Sequence, residues 1–536
     1  MKKALVMLLV AALLAGVFGL APVRAAEGIT IQMTIGSTKA YVNSKEVTLD
    51  QPPIIENGRT LVPFRFIGEA IGARIDWDPA KRTVSYVRGD MNIILIIGST
   101  TAFVNSVATK LDVAPKILSG RTVVPVRFIS ETIGAKVDWN SNTKMVTVTV
   151  SPVVEVVKIG GIYPLSGSNA PMGIGDKQAI LLAVDEINAN GGIKSLGGAK
   201  IEVVFADSEG DPKVAMTAAE RLIVKDGVTA ILGSILSSTT ATIAPVCEKY
   251  KTPLVNEGST SITLTQNGWK YFFRVTPHDG LYCESMFNFL EAVAKKSGKE
   301  IKTIGIMYEN TLFGKTAADV WKEKAPAHGF KIVADIPYSA GSVDLSSEVL
   351  NLKKASPDVI FLASYVQDSI LITKTMQTLN CNAKAVVGID GGQIVPSYID
   401  ALGPLANYVS AEARWSPDIK KPLSQKVNAE YYSKYGQNMD GHNARAYTAA
   451  IVLYNAIEEA GSTDKEKIRQ ALVNIYIPPE KIIMTWKGVK FDEFGQNILG
   501  TPCIIQIQDQ KFKTVYPYDI ASADFIFPMP AWSERP

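Results

Sequence analysis

From Val156 onward, short runs of β-branched and other apolar residues alternate with longer segments whose apolar positions recur at helical spacing. The pattern predicts strands at Val156 to Tyr163, Ile201 to Ala206, Ala230 to Gly233, Pro253 to Asn256, Ile304 to Tyr308, Ile332 to Ile336, Val359 to Ala363 and Ala385 to Ile389. Helices fall between them, for example at Asp176 to Asn190 and Ala215 to Lys225. Apolar strands separated by helices are what a parallel sheet covered by helices requires. These βα steps are more than one open doubly wound lobe usually needs. A closed barrel and a pair of lobes both fit the count, and local pattern does not separate them.

Before the Ser151-Pro152 break the pattern changes. Alternation at Arg82 to Val87 and Lys144 to Val150 predicts strands with one buried face, and the segment is duplicated at an offset of 62 positions. Gly36-Ser-Thr-Lys-Ala-Tyr-Val-Asn-Ser44 recurs as Gly98-Ser-Thr-Thr-Ala-Phe-Val-Asn-Ser106, and Gly58-Arg-Thr-Leu-Val-Pro-Phe-Arg-Phe-Ile67 as Gly120-Arg-Thr-Val-Val-Pro-Val-Arg-Phe-Ile129. Ile71-Gly-Ala with Asp76-Trp77 recurs as Ile133-Gly-Ala with Asp138-Trp139. Each unit reads as short strands, a turn, one short helix and a closing strand, and two units together make one small α+β module.

At the amino end, Lys2 and Lys3 precede an apolar run from Ala4 to about Leu20, and Ala25-Ala26 suits a signal-peptidase site, so residues 1–26 are expected to be a cleaved signal peptide. The competing reading, a membrane anchor, fits poorly with a short run closed by Pro22 and Arg24 and with no later apolar stretch of about 18 residues. No cysteine stands near the cleavage region to carry a lipid. The expected location is extracellular or associated with the cell envelope.

The formal charge of +3 fades once that segment is discounted: without Lys2, Lys3 and Arg24 the 55 basic residues match the 52 acidic ones. A near-neutral chain without blocks of like charge gives no electrostatic case for nucleic acid or an anionic membrane surface. Cys247, Cys283, Cys381 and Cys503 lie far apart; export permits a disulfide, but spacing does not choose among the pairings, and buried free thiols fit equally well. About 510 mature residues exceed a single core and predict two or more domains.

Catalytic chemistry finds little support. Leu312-Phe-Gly-Lys-Thr316 resembles the tail of a phosphate-binding loop, but Glu309 stands where its first glycine is required. His278, His328 and His442 are not paired at metal spacing, and no Gly-x-Ser-x-Gly elbow occurs. No enzymatic activity, cofactor or metal is expected.

Several segments, taken in order, identify the second region. Ile159-Gly-Gly-Ile-Tyr-Pro-Leu-Ser-Gly167, Ala183-Val-Asp-Glu-Ile-Asn-Ala-Asn-Gly-Gly-Ile193, and Asp207 followed by Gly210-Asp-Pro212 resemble the opening of type I periplasmic binding proteins, in the leucine/isoleucine/valine-binding branch that serves ABC importers. The similarity spans about residues 155–535. It implies an α/β fold of two Rossmann-like lobes joined by a three-stranded hinge, with lobe one at about 155–277 and 405–460 and lobe two at about 278–404 and 461–530. The duplicated region, residues 29–150, is similar to the copper amine oxidase N-terminal-like, or stalk, domain. Copper binding does not carry over, because residues 27–150 contain neither His nor Cys. Arg65 and Arg127 are candidate contacts for cell-wall polymer; the alternative is a buried structural arginine packed by the neighbouring Trp.

A zwitterion needs donors for its carboxylate and acceptors for its ammonium. Gly233-Ser-Ile-Leu-Ser-Ser-Thr-Thr240 and Asn256-Glu-Gly-Ser-Thr-Ser261 each follow a strand, the first opening a helix, where backbone N–H groups favour an anion. The resemblance implies hydroxyl donation by Ser237 and Thr260 with main-chain groups of Leu236 and Gly258; helix capping is the alternative for the Ser-Ser-Thr-Thr run. Asp390 matches the family's acid for the ammonium, with a turn cap as the alternative, and Tyr365 matches an aromatic that packs on the ligand backbone. Matching positions put Met172, Phe313 and Asn443, or its neighbour His442, near the ligand side chain, and the first two suit an apolar or adaptable pocket.

The implied function is capture of a small amino acid, branched-chain or otherwise apolar, and its delivery to the permease subunits of an ABC importer by hinge closure. A sensor of the same fold acting through a separate signalling partner is the rival reading, and a wall-layer protein whose stalk does the work is a third.

Overall fold

A computed structural model describes residues 29–88, 91–150 and 154–535, so the expected signal peptide lies outside the described residues. The chain divides into two compact units, residues 1–154 and 155–536. No helix among the described residues is long and apolar enough to cross a membrane.

In the first unit the repeat is reproduced element by element. The first copy comprises β1 (Ile29–Thr34), β2 (Lys39–Val42), β3 (Lys45–Thr48), β4 (Ile54–Glu56), β5 (Arg59–Pro63), α1 (Phe64–Ala70), β6 (Arg74–Asp78) and β7 (Thr83–Arg88). The second comprises β8 (Met91–Ile96), β9 (Thr101–Val104), β10 (Val107–Lys110), β11 (Lys116–Leu118), β12 (Arg121–Pro125), α2 (Val126–Ile133), β13 (Lys136–Asn140) and β14 (Met145–Val150). The copies are interlocked rather than side by side. Sheet orders β13-β14-β1-β2-β3, β10-β9-β8-β7-β6 and β11-β12-β5-β4 each draw strands from both copies. One copy alone would leave three strand edges open, and pairing them buries one shared core around Phe64, Tyr86, Ile93, Val124 and Val146. Arg65 and Arg127 are exposed, not buried against tryptophan, because each sits on the outer face of its short helix. Trp77 and Trp139 keep 37% and 46% of their surface exposed.

The second unit holds two open sheets, which decides between barrel and lobes. Lobe one is built on β15 (Val156–Tyr163), β16 (Lys200–Asp207), β17 (Ala230–Gly233), β18 (Leu254–Asn256) and β19 (Phe272–Arg274), all parallel in the order β16-β15-β17-β18-β19. Its helices are α3 (Ala170–Ala189), α4 (Pro212–Val224) and α5 (Ser237–Lys249). Lobe two carries α6 (Asp279–Ser297), β20 (Thr303–Glu309), α7 (Leu312–Lys324), β21 (Lys331–Tyr338), α8 (Ser346–Ala355), β22 (Val359–Ala363), α9 (Val366–Thr378), β23 (Ala385–Ile389), α10 (Pro396–Leu402) and β24 (Ser410–Ala413). After α11 (Pro422–Tyr435), α12 (Gly441–Ala460) and α13 (Lys465–Asn474), the strands β25 (Cys503–Gln508) and β26 (Lys511–Tyr516) complete the order β21-β20-β22-β23-β24-β25-β26.

Two lobe boundaries differ from expectation. Residues 405–413 belong to lobe two, because β24 pairs in parallel with β23 in the register Val387↔Ser410. Residues from 461 to about 497 belong to lobe one: Ile468 and Leu472 of α13 are fully buried, Lys465 Nζ donates to Thr252 Oγ1 at 2.8 Å, and Asn497 Nδ2 donates to the Val275 carbonyl at 2.9 Å. An amphipathic helix following α12 buries its apolar face most simply on α12 itself. The four short or late strands β19, β24, β25 and β26 are absent from the expected set, since runs as brief as Phe272–Arg274 carry no readable period.

Candidate functional site

The carboxyl ends of a parallel sheet gather loops and helix amino termini, and here both lobes present those ends to one another. On lobe one, β17 leads to the amino end of α5. Leu236 occupies the N-cap position, and no side chain caps that end, so its first-turn N–H groups are not satisfied by capping. The hydroxyl run does other work: Thr239 Oγ1 donates to the Leu236 carbonyl at 2.8 Å, and Thr240 Oγ1 lies 2.7 Å from Ser259 Oγ, tying this loop to the one after β18. Asn256 Nδ2 donates to the Ser234 carbonyl at 2.8 Å and fixes the same pair of loops. Gly258 fits between them closely; a Cβ there would lie 2.5 Å from Ile235 Cα. Ser237 Oγ accepts from the Ser261 N–H at 3.3 Å, and the Thr260 hydroxyl is buried beside Asp279 without a hydrogen bond of ordinary geometry.

Lobe two answers through Asp279, whose N–H donates to the Thr260 carbonyl at 2.8 Å and whose carboxylate accepts from Thr316 Oγ1 at 2.6 Å. Thr316 shares α7 with Phe313, which packs on Tyr365 with ring centroids 5.1 Å apart. Asp279 therefore links Thr260 of lobe one to the helix α7 that carries Phe313. Where the lobes meet, Ser168, Asn169, Glu309, Tyr365 and Asp368 line a cavity of about 40 Å³. That is room for about one water molecule, and of the candidate ligand contacts only Tyr365 lines it.

Asp390 is placed differently from its expected role. Its carboxylate is held bidentately by Arg414, with Nη1 to Oδ1 and Nη2 to Oδ2 both at 2.5 Å, and receives Arg445 Nη1 at 3.3 Å. Burial alone would raise its pKa, but Arg414, Arg445 and His442 hold it well below the usual carboxylate range. Two arginines consume most of the acceptor capacity an ammonium would use. His442 is likewise engaged, taking a hydrogen bond from Arg445 and giving one from Nε2 to the Gly391 carbonyl at 3.1 Å; burial pushes its pKa down to about 3, so it is neutral.

Met172 is buried on α3, one turn ahead of Asp176, and Asn443 donates from Nδ2 to Tyr431 Oη at 3.2 Å while its Oδ1 has no partner among the described residues. Glu309 is fully buried at the cavity and accepts from Thr311; burial lifts its pKa to about 8. Sequence reading did not find Arg414, Arg445, Asp176, Glu257 or Glu309 as members of this site. The signal in the sequence was weak, since Arg445 stands among the polar His442, Asn443 and Thr448 of α12, whose residues 441–450 are all buried.

Comparison with known proteins follows the same division. Residues 156–485 match the family described as periplasmic binding protein, and residues 23–86 and 47–148 match the copper amine oxidase N-terminal domain. The Leu/Ile/Val-binding protein homolog 8 of Brucella suis is 32% identical over 382 residues, covering 69% of this chain and 93% of that protein. Homolog 7 of the same organism is 30% identical over 70% of this chain and 96% of its own length. Among solved structures, the leucine-binding protein LivK of Thermotoga maritima superposes with a TM-score of 0.59 at 25% identity, over 67% of this chain and 97% of that one. The branched-chain amino acid binding protein LivJ of Streptococcus pneumoniae, solved with isoleucine, gives 0.59 at 23% identity, over 70% of this chain and 100% of that one.

Proposed function

This chain belongs to the periplasmic binding protein family of substrate-binding proteins, and from that premise we propose that it captures an amino acid outside the cytoplasm and delivers it to an ABC importer. The observation that carries the reading is the linkage through Asp279 of two halves of one site: the uncapped end of α5 with the buried Thr260 hydroxyl on lobe one, and the Phe313–Tyr365 pair on lobe two. The first suits a carboxylate and the second an apolar body. A branched-chain or other apolar amino acid fits that division. The ligand docks on lobe one, lobe two closes over it, and the closed form is what the permease subunits recognise, so ligand acts by shifting a population.

Export is proposed through cleavage near Ala25-Ala26. The stalk unit is proposed to hold the protein at the cell envelope, with the exposed Arg65 and Arg127 as contacts to cell-wall polymer. A pull-down of the stalk fragment on purified cell wall that recovers nothing removes that part of the reading.

The decisive test is calorimetric titration of the protein, refolded to strip carried-over ligand, against the twenty amino acids. Binding of an apolar amino acid with compaction by small-angle scattering is expected. Silence across the panel removes amino acids as the ligand class.

A further inference from the structure

Resting on the amino-acid reading above, we propose that the ligand's ammonium is received by the Asp176–Glu257 carboxyl pair of lobe one and not by Asp390. Asp176 lies on α3, one turn beyond Met172, and Glu257 directly precedes Gly258 in the loop after β18. Both are fully buried at the carboxyl ends of the lobe-one strands, beside the end of β15 at Tyr163 and beneath Arg445 of α12.

What singles the pair out is an excess of acceptors. Both carboxylate oxygens of Asp176 and the Asn443 Oδ1 lack hydrogen-bond partners among the described residues, and Glu257 has the Tyr163 hydroxyl beside it as its side-chain donor. Asn443 Oδ1 is aimed at this helix: a Cβ on Gly175, next to Asp176, would lie 2.5 Å from it. Unpaired buried acceptors are costly, and an ammonium brings three N–H donors and no acceptor. It supplies what this group of oxygens lacks.

Arg445 does not fill the role, since its Nη1 donates to the Gly258 carbonyl at 3.2 Å and to Asp390, and its Nη2 to His442. The remaining charges facing the pair are Asp440 at the amino end of α12, with Asp390 and Arg414 from lobe two. Burial, only partly offset by Arg445, raises both carboxyls, Glu257 to about 7 and Asp176 well above its ordinary value. The pair thus holds a proton at neutral pH that an ammonium would displace.

The test uses the full chain stripped of ligand, titrated with L-leucine and with 4-methylpentanoate, which lacks the ammonium. Asp176→Asn and Glu257→Gln are each expected to raise the L-leucine Kd by roughly 10- to 100-fold, the range for hydrogen bonds to charged groups, while leaving 4-methylpentanoate unmoved. An L-leucine Kd within twofold of wild type in both variants, with binding lost in Asp390→Asn, overturns the proposal. Should the variants not fold, the wild type decides: titration at pH 7 in buffers of different ionisation enthalpy is expected to show net proton release, and its absence overturns the assignment. Failure of the wild type to bind any of the twenty amino acids sinks the amino-acid reading itself, a result obtained before any variant is made.

Discussion

Arg445 and Asp390 join the two lobes at the back of the cleft. The arginine stands on α12 of lobe one and the aspartate follows β23 of lobe two; the Nη1 of the first lies 3.3 Å from Oδ2 of the second while also reaching the Gly258 carbonyl at 3.2 Å. Both side chains are buried, and Arg414 completes the pairing from the start of the second crossover.

Removing Arg445 leaves Asp390 paired with Arg414, so the cost is that of lost hydrogen bonds to charged groups, about 1.5–3 kcal/mol. Arg445→Met is therefore expected to lower stability by about that amount in urea unfolding followed by tryptophan fluorescence. It is also expected to increase the radius of gyration of the ligand-free protein in small-angle scattering, because a tie between the lobes is gone. An unchanged radius would mean that the contact does not hold the lobes together.

Thr260→Val separates binding from folding. The hydroxyl is buried without a hydrogen bond of ordinary geometry, so its loss is expected to leave the melting temperature unchanged or slightly raised. The same substitution removes a donor for the ligand carboxylate and is expected to weaken L-leucine by about tenfold, or about 1.4 kcal/mol, by calorimetry. Equal affinities in the two proteins would take Thr260 out of the site.

The buried acids set how stability depends on pH. Glu309 titrates near its ordinary value in the unfolded chain but at about 8 when folded, so between those values the folded state binds the extra proton and stability falls as pH rises. Asp390 acts in the opposite direction, its lowered pKa withdrawing stability only in acid. Glu309→Gln is expected to match wild type near pH 4.5 and to exceed it by on the order of 3 kcal/mol at pH 8. Thermal melts across that range check it; parallel curves would refute the assignment.

All four cysteines are buried and free, and burial raises each thiol, Cys381 to about 11. Native protein is expected to be inert to a thiol reagent and to react at four sites once denatured, with a melting temperature indifferent to reductant. A mass two units low for each pair of missing thiols would reveal a disulfide instead.

The sequence by itself determined what is local or written as a repeat: the alternation of apolar strands with helices, the 62-residue duplication, the loops at Leu236–Ser237 and Gly258–Thr260, and the segments that mark the family. Periodicity and turn chemistry act over a few residues, and both survive in a linear reading. Tertiary structure decided the rest. The exchange of strands between the two stalk copies, the return of residues 461–497 to lobe one and the pairing of β24 with β23 are choices of partner among distant segments. Asp390 shows the reason most plainly: Arg414 and Arg445 lie 24 and 55 residues away from it, and only folding brings either guanidinium to its carboxylate. A lone acid after a strand reads the same whether it awaits a ligand or already holds two arginines. What it does depends on the charges that burial in a low-dielectric interior forces together.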